Sequence, residues 1–175
     1  MSTIGTTMKR MPGLIAALCL AAAGAAAAAS ARCLWPMESP RAEGLILRGS
    51  IAEAPGVEGR SAALDGNSLL EVEGSGDLGE GDAGFSLAIW VNPYALDRGQ
   101  QMIAAKNRYS LGERQWGLML DEDGKFRLYI HQGGWRKASS DVSPEPGRWH
   151  LLGAIIRPDG AELWVNGKIA GTVAL

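Results

Sequence analysis

Residues 149–171 read WHLLGAIIRPDGAELWVNGKIAG, three strand-like runs joined by two turns whose chemistry leaves little freedom. Asn166-Gly167 stands between Leu163-Trp164-Val165 and Lys168-Ile169-Ala170, and is the pair that best tolerates positive φ at both central positions of a tight hairpin. Pro158-Asp159-Gly160 fits an earlier tight turn, with proline presetting φ, aspartate able to bond its own backbone and glycine able to accept the left-handed position. Two successive hairpins predict an antiparallel sheet.

The same grammar extends upstream. Phe85, Leu87, Ile89 and Val91 alternate with Ser86, Ala88, Trp90 and Asn92 before Pro93 ends the run. Residues 102–106 supply another short strand, and Trp116, Leu118 and Leu120 share a face of the next. Asp121-Glu122-Asp123-Gly124 then turns into a run with Phe126, Leu128 and Ile130 facing inward. Further upstream, residues 44–48, 61–64 and 69–72 are strand candidates, the last two flanking the turn Asp65-Gly66-Asn67. Residues 74–84 hold five glycines and three acids, a loop composition. Short strands with turn chemistry between them, and no helix-period segment, predict an all-β antiparallel β-sandwich.

The 175 residues suit about one domain. Lys9 and Arg10, an apolar alanine-rich run over 14–29 and the small-x-small pattern Ala29-Ser30-Ala31 predict a signal peptide over 1–31, cleaved after Ala31. The apolar run lies at the low edge of membrane-spanning length, so export is expected to leave the chain secreted, periplasmic or at the cell surface, with no membrane attachment. Neither Cys19, after Leu18, nor Cys33, after Arg32, follows the small residue a lipoprotein needs. Cleavage removes two of 17 basic residues and no acid, leaving 15 against 19 acidic ones, a net charge of −4. That balance offers nothing to attract nucleic acid. Only Cys33 would remain, too few for an internal disulfide. Residues 32–43 are read as a linker and 44–175 as the domain.

Six motifs in order resemble the laminin-G-like jelly roll of the concanavalin A-like lectin/glucanase superfamily. They are Ala63-Leu64-Asp65-Gly66, the Ala88 to Pro93 run AIWVNP, Ile103 to Lys106, Gly124-Lys125-Phe126-Arg127-Leu128, Pro146-Gly147-Arg148-Trp149-His150 followed by Asp159-Gly160, and the Leu163 to Lys168 run LWVNGK. The resemblance covers residues 44–175 and implies a concanavalin A-like jelly roll. It also implies closing strands after position 175, so the chain is expected to be part of a larger exported protein.

Glucanases of that superfamily place carboxylates two and three or four apart on one strand, an alternation this sequence lacks. Asp121, Glu122 and Asp123 fall in a turn, where solvation is expected. His131 and His150 lack an activating Ser, Cys or Asp neighbour, and with two histidines and one mature cysteine a zinc site is not expected. No catalytic residue is assigned. Some laminin-G-like domains that this chain resembles hold a rim calcium, for which Asp65, Asn67, Asp77 and Asp82 are the candidate oxygen ligands; turn chemistry alone also accounts for them.

Sugar recognition needs aromatic faces with polar neighbours. Trp116, and Trp149 with Leu151 and Ile155, are expected in the core, and Trp90 in packing. Trp164 and Tyr129 lie opposite apolar neighbours on their strands and together could form an aromatic surface, Tyr129 beside Arg127. Trp135 with Arg136, in a glycine-marked loop, completes the ligand-binding set, with Trp164 the first residue to test. The expectation is a secreted, non-catalytic module that binds a polysaccharide or glycoprotein glycan. A protein-adhesion or spacer module that binds a protein surface is the alternative, and a glycoside hydrolase has less in its favour.

Overall fold

The computed structural model describes residues 44–72, 84–108 and 111–175, together with the backbone of 16–20 and 31–36. All elements among them are strands: β1 (Ala16–Leu20), β2 (Ala31–Pro36), β3 (Leu45–Arg48), β4 (Ala52–Pro55), β5 (Arg60–Ala63), β6 (Leu69–Val72), β7 (Phe85–Val91), β8 (Gln101–Arg108), β9 (Glu113–Leu120), β10 (Phe126–His131), β11 (Trp135–Ser139), β12 (His150–Arg157), β13 (Gly160–Val165) and β14 (Lys168–Ala174).

The strands that read most clearly in the sequence build the sandwich. One sheet has the order β14-β13-β12-β7-β1-β2, the other β11-β10-β9-β8. Every pairing is antiparallel, as hairpin-connected strands require. Asn166 sits at φ 52° and Gly167 at φ 79°, the left-handed pair the hairpin between β13 and β14 demands. The turn is braced twice over: Asn166 N–H donates to the Leu151 carbonyl at 2.8 Å, and Leu151 N–H donates to Asn166 Oδ1 at 2.9 Å.

The core forms where the inward faces of the two sheets meet. Leu87 from β7, Leu118 and Leu120 from β9, Phe126, Leu128 and Ile130 from β10, Leu152 and Ala154 from β12, and Leu163 from β13 are buried in one cluster. Burial of these side chains, each worth roughly 1.5–3 kcal/mol for a Leu, Ile or Phe, is what the period-2 alternation encodes. Trp116 packs against this cluster as expected, its ring 5.3 Å from Phe85.

Trp149 corrects the sequence reading. Its neighbours Leu151 and Ile155 are half-buried on the outer side of β12, while His150, Leu152 and Ala154 face the core. Alternation shows which residues share a face, and the apolar pair at 151 and 155 suggested the wrong one. The upstream strands also pair differently from their order around the Asp65 turn: β5 returns to β4, and β6 reaches back past both to β3. The segment read as leader and linker contributes β1 and β2, with Leu20 opposite Ser86 of β7.

Candidate functional site

Among the described residues, the outer face of the four-stranded sheet gathers a polar and aromatic constellation. On β10, burial of Phe126, Leu128 and Ile130 turns Arg127, Tyr129 and His131 outward. On β11, register places Trp135 opposite His131 and Lys137 opposite Tyr129, so all five side chains leave the sheet on one side. Trp135, 40% exposed, meets Tyr129 edge-on at 6.2 Å and His131 at 5.1 Å between ring centres. On the other flank of Tyr129 the partner position is Gly117, whose missing side chain is covered by the ends of Met102 and Met119.

Tyr129 is anchored by Asp121, which is nearly buried rather than solvated as its turn position suggested. The Tyr129 hydroxyl donates to Asp121 Oδ2 at 2.7 Å, Gln100 Nε2 donates to Oδ1 at 2.9 Å, and the Glu122 N–H reaches Oδ1 at 3.0 Å. Arg127 Nε lies 3.0 Å from Asp121 Oδ2, and its other end pairs with Asp123. Burial pushes the Asp121 carboxyl up, but the hydrogen bonds from Gln100, Tyr129 and Glu122 and the Arg127 charge outweigh it and hold the group below the usual carboxylate range. Burial, then the bond to Asp121, raises the Tyr129 hydroxyl, which therefore stays protonated and donating. Burial opposes the charge on Arg127, yet Asp123 and Asp121 together raise its pKa. Asp121 is thus an ionised carboxylate with its oxygens engaged, suited to holding a ring in place rather than exchanging protons.

Of the residues marked from sequence, Tyr129, Arg127 and Trp135 come together here. Arg136 does not: it is exposed and pairs with Ile130, whose side chain faces the core, so it leaves β11 on the side away from Trp135. Trp164 stands on the other outer surface of the sandwich, because its neighbours Leu163 and Val165 pack inward. There it lies over Gly153 and donates its indole N–H to Glu162 Oε2 at 2.8 Å, while Arg157 holds Glu162 Oε1 at 2.8 Å. Those bonds, from Arg157 first and then Trp164, overcome burial and lower the Glu162 pKa. The pairing of Trp164 with Tyr129 in one aromatic surface is therefore not what the fold makes.

Of the calcium candidates, Asp65 and Asn67 share a surface turn in which Asp65 Oδ1 accepts the Asn67 N–H and the Ser68 hydroxyl, both at 2.9 Å. Asp77 and Asp82 lie outside the described residues. Among the described residues no group of three or more His, Cys, Asp or Glu side chains is placed to hold a metal ion.

Sequence reasoning missed Asp121 and Gln100. They are 21 residues apart and meet only through the β8–β9 pairing, where Gln101 stands opposite Leu120. Asp121 followed by Gly124 in a turn was the visible signal, and it pointed to backbone chemistry, which Asp121 also performs through its N–H to the Lys125 carbonyl.

Comparison with known proteins places these observations in a family. No curated protein matches. Among solved structures, the fold is similar to domain 4 of AbnA, a GH43 extracellular arabinanase from Geobacillus stearothermophilus in complex with arabinotriose, at 20% identity and a TM-score of 0.58. The match covers 74% of this chain and 65% of that one, so the chain spans just under two thirds of its structural neighbour. A laminin-G family model matches residues 64–175, and the chain belongs to the concanavalin A-like lectin/glucanases superfamily.

Proposed function

We propose that this chain is a secreted, non-catalytic carbohydrate-binding module that offers the outer face of its four-stranded sheet to a polysaccharide or glycoprotein glycan. The observation that carries the reading is Trp135, partly exposed and braced edge-on by Tyr129 and His131. An indole so held presents an apolar face at little conformational cost, and Lys137 stands across from Tyr129 to meet hydroxyls. The structural neighbour solved with arabinotriose supports sugar as the ligand class. Asp121 supports a binding rather than a hydrolytic role, since its carboxylate is occupied in positioning Tyr129.

Affinity electrophoresis against arabinan, galactan, xylan and mixed-linkage glucan tests the reading. The wild-type chain is expected to be retarded by at least one of them, Trp135→Ala to lose about tenfold or more in affinity, equivalent to about 1.4 kcal/mol, and Trp164→Ala to behave as wild type. No reducing ends should accumulate in the same mixtures. Binding that survives Trp135→Ala unchanged, or migration indifferent to every polysaccharide, would sink the proposal.

A further inference from the structure

The apolar part of the Trp135 face runs across the strands, not along them. From Trp135 on β11 the strip passes to Tyr129 on β10, its ring centre 6.2 Å away. Across from Tyr129 on β9 stands Gly117, and across from Gly117 on β8 stands Ala105. Two thioethers lie over Gly117, since a Cβ there would meet Met102 Sδ at 3.3 Å and Met119 Cε at 3.8 Å. Aromatic rings at one end of the strip thus give way to methionines at the other.

Exposure separates the members of the strip. Trp135 is 40% and Met102 49% exposed, whereas Met119 is 9% exposed and Tyr129 is half-buried. Trp135 and Met102 are therefore the apolar side chains with most surface left for a ligand to cover. Polar groups border the strip along the strands: Arg127, engaged by Asp121 and Asp123, on one side and His131 on the other. Exposed Lys137 stands across from Tyr129. A sugar has apolar C–H faces and hydroxyl edges, so a glycan laid across the strands sets its faces on the strip and its hydroxyls toward those margins. Laid along β10 it would cover the Arg127 ion pairs, and taking charges out of water is costly.

The length of the strip sets the length of the ligand. From β11 to β8 the sheet order gives three strand spacings, about 14 Å, room for roughly three sugar units. β8 is the last strand in that order, so no neighbouring strand of the sheet closes the far end. An unbranched thioether suits this position, because it adapts its rotamer to the surface laid on it.

We propose that Met102 is a second glycan contact and that the ligand crosses the strands from Trp135 to Met102, so that full affinity needs an oligosaccharide of about three units or more. The proposal rests on the carbohydrate-binding function above and assigns its direction and reach. Calorimetric titration with arabino-, xylo- and gluco-oligosaccharides of two to six units tests it. For at least one series, affinity is expected to climb from two units to about four and then level off. Met102→Ala, a truncation at a half-exposed position, should leave two-unit affinity unchanged and weaken four-unit binding about fourfold or more, equivalent to withdrawing one methylene or more from contact. Trp135→Ala should weaken every length. A second measurement uses the wild-type chain alone. Dilute hydrogen peroxide converts the Met102 thioether to the sulfoxide, the sulfur taking one oxygen as the O–O bond breaks and water leaves. Mass spectrometry should show that step slowed by a saturating four-unit ligand and not by glycerol. Wild-type affinity of Met102→Ala at every length, or an oxidation rate that the bound ligand leaves unchanged, overturns the Met102 contact; if Trp135→Ala still loses binding, the Trp135 platform stands. A chain that binds none of the series overturns both.

Discussion

A single carboxylate decides how stiff the candidate glycan face is. Asp121 holds the Tyr129 hydroxyl, the Gln100 amide and the Arg127 guanidinium, and its own side chain is 10% exposed. Hydrogen bonds to charged groups contribute about 1.5–3 kcal/mol, so Asp121→Asn is expected to lower unfolding free energy by about 1–3 kcal/mol in urea titration at pH 7. The sign with pH follows from linkage. The folded carboxyl sits below its ordinary 3.8, so the unfolded chain binds the proton first as pH falls. Asp121's contribution is therefore fully present above about pH 5 and is lost as pH drops through 4 toward the folded value. Urea midpoints at pH 7, 5, 4 and 3 should fall more steeply for the wild type than for Asp121→Asn; parallel curves would show that Asp121 does not carry the effect. None of this was visible in the sequence. A DEDG turn reads as solvated acids, and the partners that hold Asp121 arrive from β10 and from Gln100, the residue just before β8.

Strands tell a different story, since alternation is a local signal and the hairpins are local pairings. Phe126 to Ile130, Leu163 to Val165 and the Asn166-Gly167 turn were legible because each needs only its own neighbours in sequence. What alternation cannot give is which strand edges approach across the sandwich, and the seam between β11 and β14 is such a place. A Cβ on Gly171 would stand 2.3 Å from the Ser139 carbonyl oxygen and 2.8 Å from its nitrogen. Backbone cannot swing aside as a flexible side chain can, so Gly171→Ala must push β14 away from β11. Overpacking of this kind costs about 1–3 kcal/mol. Thermal unfolding is the measure, with Gly133→Ala as a poor control because its φ of 65° adds strain, and Gly134→Ala, where a Cβ meets nothing, as the proper one. A Gly171→Ala midpoint equal to that of Gly134→Ala would mean the seam relaxes freely. The same locality explains Trp164: its strand was read correctly, but whether it shares a surface with Tyr129 depends on two sheets stacking core to core.

For the molecule as a whole, the consequential pairing is the one between β1 and β7. The sequence expects export with cleavage after Ala31, and the fold seats residues 16–20 beside the central strand of the larger sheet, with Leu20 opposite Ser86. Both cannot hold in the same molecule after processing. Cleavage would remove β1 and leave β2 without its partner, exposing the N–H and C=O groups along the outer edge of β7. A bare edge of that kind is a template for pairing with another strand. The chain starting at Arg32 is therefore expected to self-associate with rising concentration in sedimentation equilibrium, while the uncleaved chain at the same concentrations does so less. Adding a peptide of residues 14–22 should return the shortened chain toward monomer by occupying the vacated edge. A shortened chain that stays monomeric up to millimolar concentration, with an unchanged thermal midpoint, would show that β1 contributes nothing to the sheet. In that case the six-stranded order reduces to β14-β13-β12-β7, and the sandwich stands on the eight strands from Phe85 onward, with the Trp135 face untouched on its other side.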